Sequence, residues 1–193
     1  MNWLAHLFLS EPNPAFRIGN LLPDLVGPSA LSGLSSDYLR GVRQHRRIDS
    51  FTDAHPVFRR SISRLGPGFR RYGGILVDIF YDHFLTRQWP ALSPTPLRPF
   101  TDEVYASFET HRDDIPSEAR AHLERMKSGN WLCAYGDFAG VALTLERISR
   151  RFRKPVPLAN AVPVFERDYA GFQSDFRAFF PELMAHVRTQ NNL

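Results

Sequence analysis

The sequence predicts an all-α protein, one irregular helical domain over residues 1–193. Three observations carry that expectation. Apolar residues recur at helical spacing through most of the chain. No segment alternates apolar and polar residues between Gly-rich hairpin turns. Fifteen prolines fall mainly between the periodic stretches, at Pro23, Pro28, Pro56, Pro67, Pro90 to Pro99, Pro116, Pro155 and Pro157, where they punctuate helices. Taken in order, Trp3, Leu4, Leu7 and Phe8 mark a short amphipathic helix that Pro12 and Pro14 stop. Ser35 and Ser36 are cap candidates for a helix over Asp37 to Thr52. Ile75, Ile79, Phe80, His83 and Phe84 place another over Tyr72 to Gln88, ending before Pro90, and PALSPTPLRP (90–99) reads as the one long loop. Further helices are expected over Phe100 to Asp113, Ser117 to Lys127, Phe138 to Phe152, and Leu158 to Arg188 with a break before Pro181. There is no internal repeat and no coiled-coil heptad.

Composition narrows the function classes. With 43% hydrophobic and 23% charged residues the chain has the balance of a folded globular protein. No apolar run approaches the roughly 20 residues of a membrane helix, and MNWLAHLFLSEPNP lacks the positive region of a secretory signal. A single cysteine, Cys133, excludes an intramolecular disulfide framework and any multi-Cys zinc site, so a reducing cytoplasm is the expected compartment. Cys133 itself, between Leu132 and Ala134, reads as a packing residue. The net charge of +4 is carried almost wholly by arginine, Lys127 and Lys154 being the only lysines. Arginine suits bidentate contact with phosphate or carboxylate, although a GC-rich coding sequence produces the same bias.

The N-terminal half concentrates the residues able to do chemistry. His6, His45, His55 and His83 lie there, with Asp24, Asp49, Asp53, Asp78 and Asp82. On a helix, His45, Asp49 and Asp53 share one face, as do Asp78 and Asp82, with His83 one step round. A surface ion-pair ladder would give the first pattern as well. Asp78 is different, because it stands inside Ile75-Leu76-Val77-Asp78-Ile79-Phe80, where a carboxylate is costly unless a cation or a buried arginine offsets it. Together these positions suggest an oxygen- and nitrogen-rich site for Mn²⁺, Mg²⁺ or another divalent ion. No GxSxG elbow, P-loop or GxGxxG is present. Gly73-Gly74 reads as a helix start, and His111, His122 and His186 as surface histidines.

Four ordered motifs go further: Asn2-x-Leu4-Ala5-His6-Leu7, Gly19-Asn20-Leu21-Leu22-x-Asp24, His45-Arg46-Arg47-Ile48-Asp49-x-x-Thr52-Asp53, and Asp78-x-x-x-Asp82-His83-Phe84-Leu85. With Trp131-Leu132-x-x-Tyr135 and an aromatic C-terminal helix near Phe179-Phe180-Pro181, they resemble the acyl carrier protein phosphodiesterases over nearly the whole chain. The resemblance implies an HD-like helical fold and a Mn²⁺-dependent enzyme that removes 4′-phosphopantetheine from holo-acyl carrier protein. It implies Asp24, His45, Asp78, Asp82 and His83 as metal ligands, with Asp49 and Arg46 among the catalytic groups. Asn2, His6, Asn20, Arg46 and Arg47 are then substrate-side residues. Unlike the ordinary HD pattern, the adjacent pair here runs Asp82-His83, and His45 is followed by arginine. The acidic carrier protein would meet an arginine face drawn from Arg43, Arg59, Arg60, Arg64, Arg70 and Arg71.

Two other readings stay open at this point. An HD-like phosphohydrolase could act on a small nucleotide, its arginines binding the phosphates. A nucleic-acid-binding protein is suggested by Arg147, Arg150, Arg151, Arg153 and Lys154, but basic residues at the end of a helix also complement its dipole, so no nucleic-acid partner and no membrane partner is expected.

Overall fold

The structure is a computed structural model that describes residues 1–154 and 156–191, leaving Pro155 outside. Every regular element among the described residues is helical, as expected. The α-helices are α1 (Trp3–Phe8), α2 (Pro14–Leu21), α3 (Ser36–Ala54), α4 (Pro56–Arg64), α5 (Gly73–Leu92), α6 (Leu97–Thr110), α7 (Ser117–Ser128), α8 (Phe138–Ser149), α9 (Val162–Arg167) and α10 (Tyr169–Asn191). None is long and apolar enough to cross a membrane. Of the basic cluster, Arg147 lies in the last turn of α8 and Arg150 is its C-cap, positions where positive charge complements the helix dipole.

Prolines account for most departures from the expected boundaries. Pro14 stops nothing; it is the first residue of α2, whose first-turn Phe16 N–H is taken by the Asn13 side chain at 3.0 Å. Pro56 opens α4 in the same way, with the His55 ring accepting from Val57 N–H at 3.2 Å. Pro90 lies inside the last turn of α5, which continues to Leu92 because the buried Trp89 packs against Phe8 and Phe100. The expected long loop therefore shrinks to Ser93–Pro96, closed by Trp89 Nε1–H on the Thr95 carbonyl at 2.9 Å. No break precedes Pro181 either. The exposed proline sits inside α10, held by buried Phe179, Phe180 and Leu183 on both sides of it.

The chain forms two compact units. One comprises Met1–Asn2, Asp49–Gln88 and the chain from Ala134 onward; the other comprises Trp3–Ile48 and Trp89–Cys133.

The first unit has an aromatic core, with Phe80 stacked on Phe165 at 3.9 Å and Phe58, Tyr81, Phe84, Phe172, Phe176 and Phe179 packed about them. Here α4 and α10 are clamped by a buried carboxylate. Asp175 is fully buried and accepts from Arg60 Nε at 2.7 Å, Arg64 Nε at 2.7 Å and Ser61 Oγ at 2.9 Å. Burial pushes the Asp175 carboxyl upward, and the hydrogen bonds from Arg64, Arg60 and Ser61 outweigh that push, so the net shift is downward. Gly171 makes room for this clamp, since a Cβ there would lie 2.4 Å from Arg64 Nη1. Arg60 and Arg64, expected on a docking face, are thus engaged in holding two helices together.

In the second unit, α2 and α3 cross at backbone contact. A Cβ on Gly19 would lie 2.2 Å from the Tyr38 carbonyl oxygen, and one on Gly41 2.1 Å from that of Phe16. Only glycine at both positions permits the approach. Leu4, Leu7, Ile18, Leu21, Val42 and Ile48 bury the remaining apolar surface of these helices.

Candidate active site

The Gly19–Gly41 crossing brings the next residue, Asn20, against α3, and its backbone carbonyl accepts from His45 Nδ1 at 2.7 Å. The Asn20 side chain serves a second histidine. Its Nδ2 donates to the His6 carbonyl at 2.9 Å and to Ser10 Oγ at 2.8 Å, which turns Oδ1 toward His6 Nδ1 at 3.1 Å. Both acceptors are bare oxygens, so each imidazole donates a proton from Nδ1 and the direction of each ring is fixed. The two rings stack 4.0 Å apart at an interplanar angle of 10° and are almost fully buried.

Asp24 ends a short 3₁₀ turn over Leu22–Asp24 and faces His45. Its Oδ1 lies 3.6 Å from His45 Nε2, and its Oδ2 accepts from Trp3 Nε1 at 3.0 Å. Trp3 lies parallel to Trp131 at 6.2 Å, and His122 meets both rings edge-on. Arg46 and Arg47 follow His45 on the exposed side of α3.

This donor set suits a hard or borderline divalent cation. Two donors about 2.1 Å from one ion lie roughly 3–4 Å apart, and the His45–Asp24 pair meets that spacing. The atoms not facing the pair are also fixed, His45 Nδ1 by a carbonyl and Asp24 Oδ2 by an indole N–H. Such outer partners set the tautomer and direction of metal ligands.

The remaining candidates lie in the other unit. The Met1 ammonium is 3.0 Å from Asp49 Oδ1 and 3.3 Å from Asp78 Oδ1, so a cation does stand beside Asp78, itself half-buried. One turn along α5, the fully buried Asp82 accepts from Asn2 Nδ2 at 2.8 Å, and the same Nδ2 donates to the Tyr135 hydroxyl at 2.7 Å. His83 turns elsewhere, because adjacent helix positions do not share a face. Its Nδ1–H donates to the Tyr135 carbonyl at 2.8 Å, and its Nε2 accepts from the Tyr169 hydroxyl at 3.1 Å. Burial pushes the His83 pKa down, with the Tyr135 carbonyl working against it.

The structure thus joins Asp24 to His45, stacks His6 on His45, sets Asp49 beside Asp78, and gives His83 hydrogen-bond partners of its own. His111, His122 and His186, expected on the surface, are half-buried against Tyr38, the two tryptophans and Phe51 respectively. Trp3 and Tyr169 were not foreseen as site residues. Trp3 stands inside the first motif, between Asn2 and His6, which is a signal of a kind; nothing in the sequence marks Tyr169.

Comparison with known proteins places the chain. The model of a family described as acyl carrier protein phosphodiesterase matches residues 1–183. The acyl carrier protein phosphodiesterase of Photorhabdus laumondii is 35% identical, over 99% of this chain and 97% of its own. Those of Pectobacterium atrosepticum and Yersinia pestis are 31% and 29% identical, the first over 98% of this chain and 99% of its own, the second over 97% and 98%. No solved structure matches significantly. Matched by that model and by these relatives over nearly its whole length, the chain belongs to the acyl carrier protein phosphodiesterase family.

Proposed function

We propose that this protein is a divalent-metal-dependent, HD-like phosphodiesterase. It hydrolyses the bond joining 4′-phosphopantetheine to a serine of holo-acyl carrier protein, giving apo-carrier protein and free 4′-phosphopantetheine. The observation that carries the reading is the anchored His6–His45–Asp24 group, in a chain whose relatives are named for this activity.

His45, Asp24 and His6 would hold Mn²⁺ or Mg²⁺, which when bound supplies Lewis acidity and a water of lowered pKa. The chain's own groups do the rest. Asn20 holds the Nδ1 side of both imidazoles, through its Oδ1 on His6 and its backbone carbonyl on His45, and so fixes the direction in which each ring presents Nε2. The Trp3 indole N–H holds Asp24 at one oxygen and leaves the other toward His45. Arg46 and Arg47 carry two permanent charges on exposed stems beside His45, suited to the non-bridging oxygens of a phosphodiester.

The test is the mass of holo-carrier protein incubated with this protein and Mn²⁺. Loss of the phosphopantetheine arm is expected, and none after chelation. An unchanged carrier mass together with hydrolysis of nucleotides would replace this reading with the nucleotide one.

A further inference from the structure

Trp131 faces Trp3 across 6.2 Å with the two rings 13° from parallel, and the Trp3 Nε1–H is the donor that holds Asp24 Oδ2 at 3.0 Å. We propose that Trp131 is a positioning residue. Its indole sets the plane of Trp3, and through that plane the direction in which Asp24 presents Oδ1 to His45. The proposal rests on the metal reading above and adds the residue that keeps Asp24 aimed. Trp3, Asp24, His45 and Trp131 all belong to the same compact unit.

The turn after α7 is built around this indole. Gly129 caps α7 at φ −89° and ψ 0°, a conformation open to any residue, so the backbone does not require glycine there. The Trp131 ring does, because a Cβ on Gly129 would lie 2.2 Å from its Nε1 and 2.6 Å from its Cδ1. Asn130 follows at φ 46°, the one non-glycine residue in the left-handed region among the described residues, and its Oδ1 is buried with no hydrogen bond. Both features cost stability, and such a turn persists where the structure around it over-determines it. The chain is tied down on either side of the ring, with Asn130 N–H on the Lys127 carbonyl at 3.0 Å and Leu132 N–H on the Tyr105 hydroxyl at 2.9 Å. Yet Trp131 is only half-buried, so filling the core does not account for so fixed a placement. Its contact with Trp3 does. A single hydrogen bond from Nε1 leaves an indole free to tilt about the N–H direction. A parallel ring on one face limits that tilt, and His122 packs edge-on against both rings, 5.3 Å from Trp3 and 5.4 Å from Trp131. A tilted Trp3 would lengthen its bond to Asp24 and release Oδ1 from its 3.6 Å approach to His45.

Calorimetric titration of the protein with Mn²⁺ tests this without turnover. Trp131→Ala is expected to weaken Mn²⁺ binding by up to about tenfold, the loss set by removing the Trp3 N–H itself. Trp131→Phe, which keeps a flat ring over Trp3, should restore the affinity. A double-variant cycle separates positioning from general loosening. In a Trp3→Phe background, which has no N–H left to aim, Trp131→Ala should change Mn²⁺ affinity no further. Gly129→Ala keeps the indole but displaces it, so it should weaken Mn²⁺ binding as well, and it decides the matter if Trp131→Ala does not fold. Wild-type Mn²⁺ affinity in either folded variant overturns the proposal, as does an equal loss from Trp131→Ala with and without the Trp3 N–H. If Asp24→Ala itself leaves Mn²⁺ affinity unchanged, the metal reading falls and takes this proposal with it. A loss at Asp24→Ala with none at Trp131→Ala defeats the proposal and spares the metal reading.

Discussion

Asn20→Ala removes three hydrogen bonds and leaves the backbone carbonyl that anchors His45 in place. The His6 carbonyl keeps the Ser10 hydroxyl at 2.8 Å, so it is not orphaned. The His6 Nδ1–H loses its Asn20 acceptor in a fully buried setting, at about 1–3 kcal/mol, and the vacated volume adds about 1 kcal/mol more. The sum, roughly 2–4 kcal/mol, corresponds to a fall in Tm of about 5–15 °C for a chain of this size. With its tautomer and direction no longer held, His6 should also lose metal affinity, by about 10–100-fold. Asn20→Asp separates the two effects, because it keeps an acceptor for His6 Nδ1 while losing the donor to the His6 carbonyl. It should melt early and yet bind Mn²⁺ better than Asn20→Ala. Thermal melts paired with Mn²⁺ titration of each variant read both quantities. An alanine variant that melts early with unchanged Mn²⁺ affinity would show that His6 is not a ligand, and one that changes neither would refute the network argument altogether.

Other outcomes follow from the same geometry. Trp3→Phe keeps the ring against Trp131 but removes the N–H held by Asp24, so Mn²⁺ affinity should fall about tenfold with Tm nearly constant; affinity equal to wild type would deny Asp24 its orienting partner. Asp175→Asn takes the ion pair from Arg60 and leaves Arg64 with Asp168 alone, and should cost about 3 kcal/mol, near the low end for a broken buried pair because Arg60 is half exposed and Arg64 keeps its second partner; urea melts check it. Because the folded carboxyl of Asp175 sits below its ordinary range, its contribution is present above the unfolded pKa of about 4 and is lost as pH falls through the lower folded value. Acid melts of wild type should therefore lose stability below about pH 4 by more than those of Asp175→Asn. Gly41→Ala forces a Cβ into the Phe16 carbonyl and should destabilise by about 1–3 kcal/mol while weakening Mn²⁺ binding through the displaced Asn20; retention of both would mean that the helix crossing does not position the site.

Much of the helical framework was legible, and the misreadings share a cause. Local signals say where a helix can start or stop, and tertiary contacts decide whether it does. Pro14 reads as part of a stop and Pro56 as a residue between segments, but both are helix starts, because Asn13 and His55 cap the turns they open. Pro90 and Pro181 are tolerated inside helices because Trp89 and the Phe179–Phe180 pair are buried beside them. At the candidate site, Asp24 and His45 stand out by residue type, and the structure sets them 3.6 Å apart. The decisive contact, a backbone carbonyl of Asn20 on His45, has no side-chain signature at all, and depends on two glycines that only the helix crossing explains. Arg60 and Arg64 looked like surface charges because their partner, Asp175, lies more than a hundred residues away. His83 reads as a companion of Asp82 by adjacency, yet a step of one residue on α5 carries it into a different environment.

The central claim is phosphodiester hydrolysis of holo-carrier protein at the His45–Asp24 centre. It is tested most directly by running the reaction in ¹⁸O-labelled water with Mn²⁺, for wild type and Asp24→Ala, and weighing both products. The account predicts apo-carrier protein with an unlabelled serine, ¹⁸O on the phosphate of the released 4′-phosphopantetheine, and no release by a folded Asp24→Ala protein. Label on the serine, an arm that stays attached in wild type, or undiminished release by Asp24→Ala would contradict it.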